Sequence, residues 1–346
     1  MSTTRDLAMK AHVGGTEGRV GWRRHVLDLD DFTREDIELV LKTADAMKEI
    51  MGRDIRKVPA LRGRTIITLF YEVSTRTRVS FEQAGKILSA DVINVTASGS
   101  SVSKGESLID TGKTLQAMGA DIIVMRHPSS GAPYLLAQWL NCGIINAGDG
   151  WHAHPSQALL DLYTMRDKLK HIEGLRVTLV GDVLHSRVAR SNIWGLLRMG
   201  ADVVLCGPPT LLPHNFIEAY PAKREGMGTL RIEYDMERAV QGADVVMALR
   251  LQLERQQAGL LPSLREYSER WQVNAKHLAS ASPNVLVMHP GPVNRGVEIA
   301  ADLVDQERSL MEEQVRNGVA IRMALLYMML AGSRGGDDGL ERAGRS

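Results

Sequence analysis

Short apolar runs of four to six residues recur along this chain, most of them followed by a segment whose apolar residues fall at helical spacing. No other feature narrows the available folds as much. Parallel strands need a crossover of about a dozen residues or more, usually a helix, so the alternation predicts an open, mostly parallel α/β sheet. The runs at 65–70, 91–95, 121–125 and 143–146 make one such series. A second begins at 176–181 and continues through 202–206, 229–234, 244–249 and 285–288. Two series in 346 residues imply two domains. A long final helix, from about 305 to 330, is expected to pack back over the first of them. Residues 1–24 and 332–346 lack periodicity and are expected as a flexible N-terminal arm and a flexible tail.

Composition limits what the protein can bind. The net charge is +1, with 44% apolar and 24% charged residues, which gives no reason to expect nucleic acid or an anionic membrane surface as partner. No apolar run is long enough to span a bilayer, and the first residues lack a signal-peptide core. Cys142 and Cys206 lie far apart within apolar segments. They are expected as buried free thiols of a cytoplasmic protein.

The unusual polar residues stand just beyond strand ends: Ser74 to Arg78, Arg126, His154, Arg187, Arg250 with Gln252, and His289-Pro290. In open α/β sheets ligands bind outside the carboxyl ends of the strands, so two such sheets facing each other predict an arginine-rich cleft for a small polyanion. The sharpest signal is Ser74-Thr75-Arg76-Thr77-Arg78. It joins the apolar run 65–70 to a helical pattern with apolar positions 81, 84, 87 and 88, so the helix begins inside it. Free backbone N–H groups and the positive end of the dipole favour an anion there, and hydroxyls and guanidiniums add donors shaped for phosphate oxygens. A simple cap needs one hydroxyl and repels cations at that end.

Other motifs are weaker. His152 and His154 alternate, yet no cysteine or carboxylate cluster at ligand spacing accompanies them, so no metal is expected. A histidine donating to a carbonyl oxygen, with Gln157 on the same helical turn, fits better. Gly181-Asp182-Val183 lacks the spaced glycines of a dinucleotide loop, and Gly112-Lys113-Thr114 lacks the first glycine of a P-loop. Arg250 and Gln252 place two donors on one face of an extended segment, as carboxylate recognition requires.

Ser74-Thr75-Arg76-Thr77-Arg78 followed by Ser80-Phe81-Glu82 resembles the carbamoyl-phosphate motif of the aspartate and ornithine carbamoyltransferases. The resemblance extends from about residue 25 to 330. Ser100-Ser101-Val102-Ser103-Lys104-Gly105-Glu106 looks like the mobile lysine loop of the aspartate branch, although Ser103 stands where some members carry a second lysine. His289-Pro290-Gly291-Pro292 and Arg250-Leu251-Gln252 also look like that branch, whereas the ornithine branch would place a cysteine near 289–292.

The resemblance implies two Rossmann-like domains with central parallel sheets: a carbamoyl-phosphate domain at 25–155 plus 305–331, and an aspartate domain at 156–304. It implies transfer of a carbamoyl group from carbamoyl phosphate to L-aspartate, a pyrimidine-synthesis reaction, with no cofactor. Ser74, Thr75, Arg76, Thr77 and Arg126 would hold the phosphate. His154, Thr77 and Arg126 would polarise the carbamoyl oxygen. Gln157 and the carbonyl groups of Pro290 and Gly291 would take the amine, while Arg187, Arg250 and Gln252 would bind aspartate. Ser100 and Lys104 would come from an adjacent subunit, implying a homotrimer. Some members associate further with regulatory chains or dihydroorotase.

Overall fold

The computed structural model describes residues 22–96, 105–220, 225–251, 260 and 263–331. Ser100, Lys104 and Gln252, with the arm up to residue 21 and the tail from 332, lie outside the described residues.

The first series of runs forms β1 (His25–Val26), β2 (Thr65–Phe70), β3 (Asp91–Thr96), β4 (Ile122–His127) and β5 (Gly143–Asp149). They make one sheet in the order β1-β5-β4-β2-β3. All its pairings are parallel, with Ile66 opposite both Val92 and Ile122. Between the strands run α1 (Arg34–Met51), α2 (Thr75–Ile87), α3 (Leu108–Ala117) and α4 (Ala132–Trp139). The second series gives β6 (Arg176–Val180), β7 (Asp202–Cys206), β8 (Leu230–Ile232), β9 (Val245–Ala248) and β10 (Leu286–Met288). Their sheet is also parallel, in the order β10-β9-β6-β7-β8. Helix α5 (Pro155–Leu169) leads from one sheet to the other, and α6 (Arg187–Arg198) follows β6. Shorter helices α7 (Met236–Val240), α8 (Leu264–Trp271), α9 (Ala275–Leu278) and α10 (Ala301–Val304) precede the last, α11 (Met311–Ala331).

Central strands such as β2, β4 and β9 are apolar almost throughout because helices cover both faces of a parallel sheet. Helix α1 keeps its 3.6-residue period with Ile37, Val40, Leu41, Ala44 and Met47 buried. It starts where the sequence places it: the Thr33 hydroxyl accepts from the Asp36 N–H, and the Asp36 carboxylate accepts from the Thr33 N–H.

Two boundaries differ from the sequence reading. Trp22, Arg23 and Arg24, expected in the arm, are tied down. The Trp22 indole donates to Asp36, Arg23 pairs with Asp31 and Asp36, and Arg24 donates to the Leu140 carbonyl. The final helix starts at Met311, not near 305. Residues 308–310 run alongside β10 instead, with the Val287 N–H donating to the Arg308 carbonyl and the Leu310 N–H to the Val287 carbonyl. That pairing delays the helix by a turn and a half. From Met311 it packs against α1, α2 and α5. Among the described residues no helix is long and apolar enough to cross a membrane.

Strand β1 is too short to show a period, and one side chain reinforces it. His25 Nδ1 accepts the Ile144 N–H at 3.2 Å, beside the β1–β5 pairing. Burial, with the neighbouring Arg24 charge, lowers its pKa to about 4. A folded-state pKa below the unfolded value of 6.5 means the unfolded chain binds the proton first as pH falls. This contribution is therefore complete above pH 6.5 and is lost as pH falls to about 4. The protection factor of the Ile144 amide, its exchange rate measured against the intrinsic rate at the same pH, should fall across that window, and His25→Gln should remove that fall.

Candidate active site

Strand order locates the cleft before any side chain is considered. In the first sheet the chain leaves β2 towards β3 on one side, then returns to place β4 on the other. In the second, β6 leads to β7 on one side and β9 lies on the other. These are the topological switch points, where crevices open at the carboxyl ends of parallel strands. After β2 comes the Ser74–Arg78 turn, Arg126 is the penultimate residue of β4, Arg187 follows β6 and Arg250 follows β9.

The turn has the character expected of an anion cradle. Ser74 sits at the N-cap of α2 with extended backbone, its hydroxyl makes no capping bond, and the first turn carries no acidic residue. The leading N–H groups of the helix have no intrahelical acceptor. Thr77 is buried, whereas Thr75 and Arg76 are exposed. Burial, then the nearby Arg250 charge, lowers the Arg76 pKa from its usual value, though a guanidinium stays protonated. Gly291 adopts φ +67°, and any Cβ there would collide with the Arg76 guanidinium. The glycine thus lets the Pro290-Gly291 backbone of the second half meet the arginine of the first.

Deeper in the cleft, Glu72 joins two of the predicted arginines. Its Oε2 accepts from Arg126 Nε at 3.1 Å and from Arg187 Nη2 at 2.8 Å. Arg126 also donates to the Ala147 carbonyl and Arg187 to the Gly150 carbonyl. Gly148, at φ +114°, leaves room for the Arg187 guanidinium, which would lie 2.9 Å from an added Cβ. Like charges so close need such acceptors between them.

His154 is the N-cap of α5, and its backbone N–H donates to Ser191 Oγ on α6. Burial, followed by the charges of Arg126, Arg187 and Arg322, holds its pKa well below the usual imidazole value. The ring is neutral, and its Nδ1 has no hydrogen-bond partner among the described residues. A neutral imidazole facing guanidiniums can donate one N–H to a carbonyl oxygen without taking the substrate's proton.

One turn on, Gln157 Nε2 donates to Asp161 Oδ1 at 2.9 Å. Asp161 is fully buried, and burial pushes its carboxyl up to about 7 against the pull of its N–H donors and of Arg322. His289 is held by Glu298 at 3.1 Å, and its Nδ1 accepts the Gly291 N–H at 2.8 Å, which shapes the loop carrying Pro290 and Gly291.

Among the described members of the expected set, Arg126 and Arg187 meet at Glu72 and their charges reach His154. Arg76 lies against Gly291 and near Arg250, and Gln157 connects through Asp161 and Gln314 to His289. Glu72, Asp161, Arg322 and Gln314 were not among the sequence candidates. Only Glu72 carried a signal, as an acidic residue two positions before a cationic turn. Glu72→Gln should lower the unfolding free energy by about 1–3 kcal/mol, the scale for hydrogen bonds to charged groups. It should also tighten inorganic phosphate binding several-fold, because a neutral amide competes less for the two guanidiniums. Thermal melting and phosphate titration check both effects.

Residues 24–167 match the aspartate/ornithine carbamoyltransferase carbamoyl-P binding domain, and residues 173–329 match the Asp/Orn binding domain of the same family. The aspartate carbamoyltransferase catalytic subunit of Roseiflexus sp. (strain RS-1) is 60% identical over 309 residues, 89% of this chain and 95% of that one. Aspartate transcarbamoylase from Trypanosoma cruzi, solved with carbamoyl phosphate and aspartate, superposes with a TM-score of 0.79 at 30% identity, covering 88% of this chain and 96% of that chain. The catalytic subunit of M. jannaschii aspartate transcarbamoylase gives 0.79 at 34% identity, over 90% of this chain and 100% of its own. With both halves matched and the arginine cleft between them, the chain belongs to the aspartate/ornithine carbamoyltransferase family.

Proposed function

We infer that this chain is the catalytic chain of an aspartate carbamoyltransferase, converting carbamoyl phosphate and L-aspartate to N-carbamoyl-L-aspartate and phosphate for pyrimidine synthesis. One observation carries the reading from the residues up: Arg76, Arg126, Arg187 and Arg250 stand at four separate strand ends, and Arg126 and Arg187 share Glu72 beside a buried His154 whose pKa they help to lower. That arrangement suits a phosphate at one end and a dicarboxylate at the other.

The roles are those that the family resemblance implies for these positions. Ser74, Thr75, Arg76 and Thr77 at the start of α2 bind the phosphate, with Arg126 spanning phosphate and carbonyl. His154, Thr77 and Arg126 face the carbamoyl oxygen, while Gln157 and the carbonyls of Pro290 and Gly291 take the carbamoyl amine. Arg187, Arg250 and Gln252 hold the aspartate carboxylates. The α-amine of aspartate attacks the carbamoyl carbon, and negative charge gathers on the oxygen facing His154, Thr77 and Arg126. The carbon–oxygen bond to phosphate then breaks, and the departing phosphate takes the amine's proton. No side chain of the set serves as general base. Proximity and preorganised donors supply the rate, each donor being worth about 3–4 kcal/mol of barrier.

The carbamoyl-phosphate domain is read as 25–155 with 305–331, and the aspartate domain as 156–304. A homotrimer, with Ser100 and Lys104 entering a neighbour's site, is supported by the surface beside the phosphate turn. There β3 is an edge strand, and Val73, Val79 and Ile93 are 99%, 49% and 50% exposed. Exposed apolar side chains on an edge strand, and on the turn and helix that follow its neighbour β2, suit a subunit contact. Two free, buried thiols fit a cytoplasmic protein.

Phosphate release with a panel of aspartate, ornithine and N-acetylornithine tests the activity. Aspartate alone should support turnover, and formation of citrulline without carbamoylaspartate would overturn the assignment. Arg76→Ala should lower kcat/KM by at least about 10²–10³-fold while the melting curve stays cooperative. Native mass measurement should give three copies of the chain. A monomer with full activity would exclude shared sites, and added mass would reveal a regulatory chain or dihydroorotase.

A further inference from the structure

Asp161 is buried on α5 and takes no place in the chemistry above, yet it joins both groups assigned to the carbamoyl amine. Its Oδ1 accepts from Gln157 Nε2 at 2.9 Å and from Gln314 Nε2 at 2.8 Å, and its Oδ2 accepts from Asn192 Nδ2 at 2.8 Å. The amide orientations are fixed by backbone groups that cannot exchange roles. The His289 N–H donates to Gln314 Oε1 at 3.0 Å, so Gln314 must turn its NH2 to Asp161. Asn192 Nδ2 also donates to the Val188 carbonyl at 3.0 Å, which fixes that amide likewise. Gln157 is then the amide whose direction depends on Asp161. With its NH2 held by the carboxylate, its Oε1 is left as an acceptor. The same carboxylate holds Gln314, and through it the residue immediately before Pro290 and Gly291.

We propose that Asp161 is a positioning residue for donor specificity, setting the acceptor groups of Gln157, Pro290 and Gly291 to select a carbamoyl NH2 over groups that lack it. The inference rests on the proposed function. A carboxylate in this place has a chemical logic. Gln157, Gln314 and Asn192 all offer it amide N–H groups, and in its ionised form it can only accept, so it holds several N–H groups at once and leaves their oxygens for other partners. A site whose acceptors are fixed discriminates strongly against an analogue without the matching donor, because the acceptors are then left unpaired.

Equilibrium binding of three probes tests this: carbamoyl phosphate, acetyl phosphate, which replaces the NH2 with CH3, and inorganic phosphate. Asp161→Leu, nearly isosteric and without acceptors, should weaken carbamoyl phosphate at least tenfold and leave the other two within about twofold. Asp161→Asn keeps one oxygen for Gln157 and should restore most of the difference. Gln314→Met removes the path from Asp161 to His289 but leaves Gln157 on Asp161, and should give a smaller loss confined to carbamoyl phosphate. It decides the matter if Asp161→Leu does not fold. A parallel loss for all three probes, or no loss for any, would overturn the proposal. Wild-type protein that neither binds carbamoyl phosphate nor carbamoylates aspartate would instead overturn the functional reading beneath it.

Discussion

Repulsion among arginines is the constraint around which the cleft is built. Arg126 and Arg187 come from different sheets, yet one carboxylate oxygen of Glu72 bonds both. Without acceptors between them, guanidiniums this close would disfavour the juxtaposition of the two halves. Backbone carbonyls of Ala147 and Gly150 share the task, and Gly148 gives Arg187 the room to reach its place. Burial first, and then the charges of Arg126, Arg187 and Arg322, keep His154 from holding a second proton. The crowding of arginines thus adds to what burial already does to that imidazole.

The two sheets make this arrangement economical. Each reverses its direction of growth once, and the carboxyl ends at those reversals supply the Ser74–Arg78 turn, Arg126, Arg187 and Arg250. The cleft therefore follows from strand order, while its selectivity comes from the groups behind it. The hydrogen bonds of Asp161 and of the His289–Glu298 pair hold donors and acceptors in fixed directions. Preorganisation of this kind lets polar groups act without first reorienting.

Much of this was legible in the amino-acid order, for identifiable reasons. Parallel strands covered on both faces leave unbroken apolar runs, so β2, β4 and β9 stand out. Cations just past such runs are conspicuous, and Arg126, Arg187 and Arg250 were found that way. Strand β1 escaped because two residues cannot display a period. The start of α11 was misplaced because residues 308–310 are claimed by β10, a pairing across about twenty residues that no local pattern announces. Glu72, Asp161 and Gln314 act through partners far along the chain: Arg187 lies 115 residues from Glu72, and Gln314 lies 153 from Asp161. Their roles exist only after the chain has closed.

Closure has a further consequence through α11. This helix packs on α1, α2 and α5, carries the buried Arg322 over the Phe81 ring, and brings Gln314 to Asp161. The residues that complete the amino-terminal half thus leave the ribosome only after all the strands of the second sheet. Until they emerge, the faces of α1 and α2 that they cover stay open. The first half cannot mature as an independent unit during synthesis, and a premature stop before Met311 would deprive both halves of their shared framework.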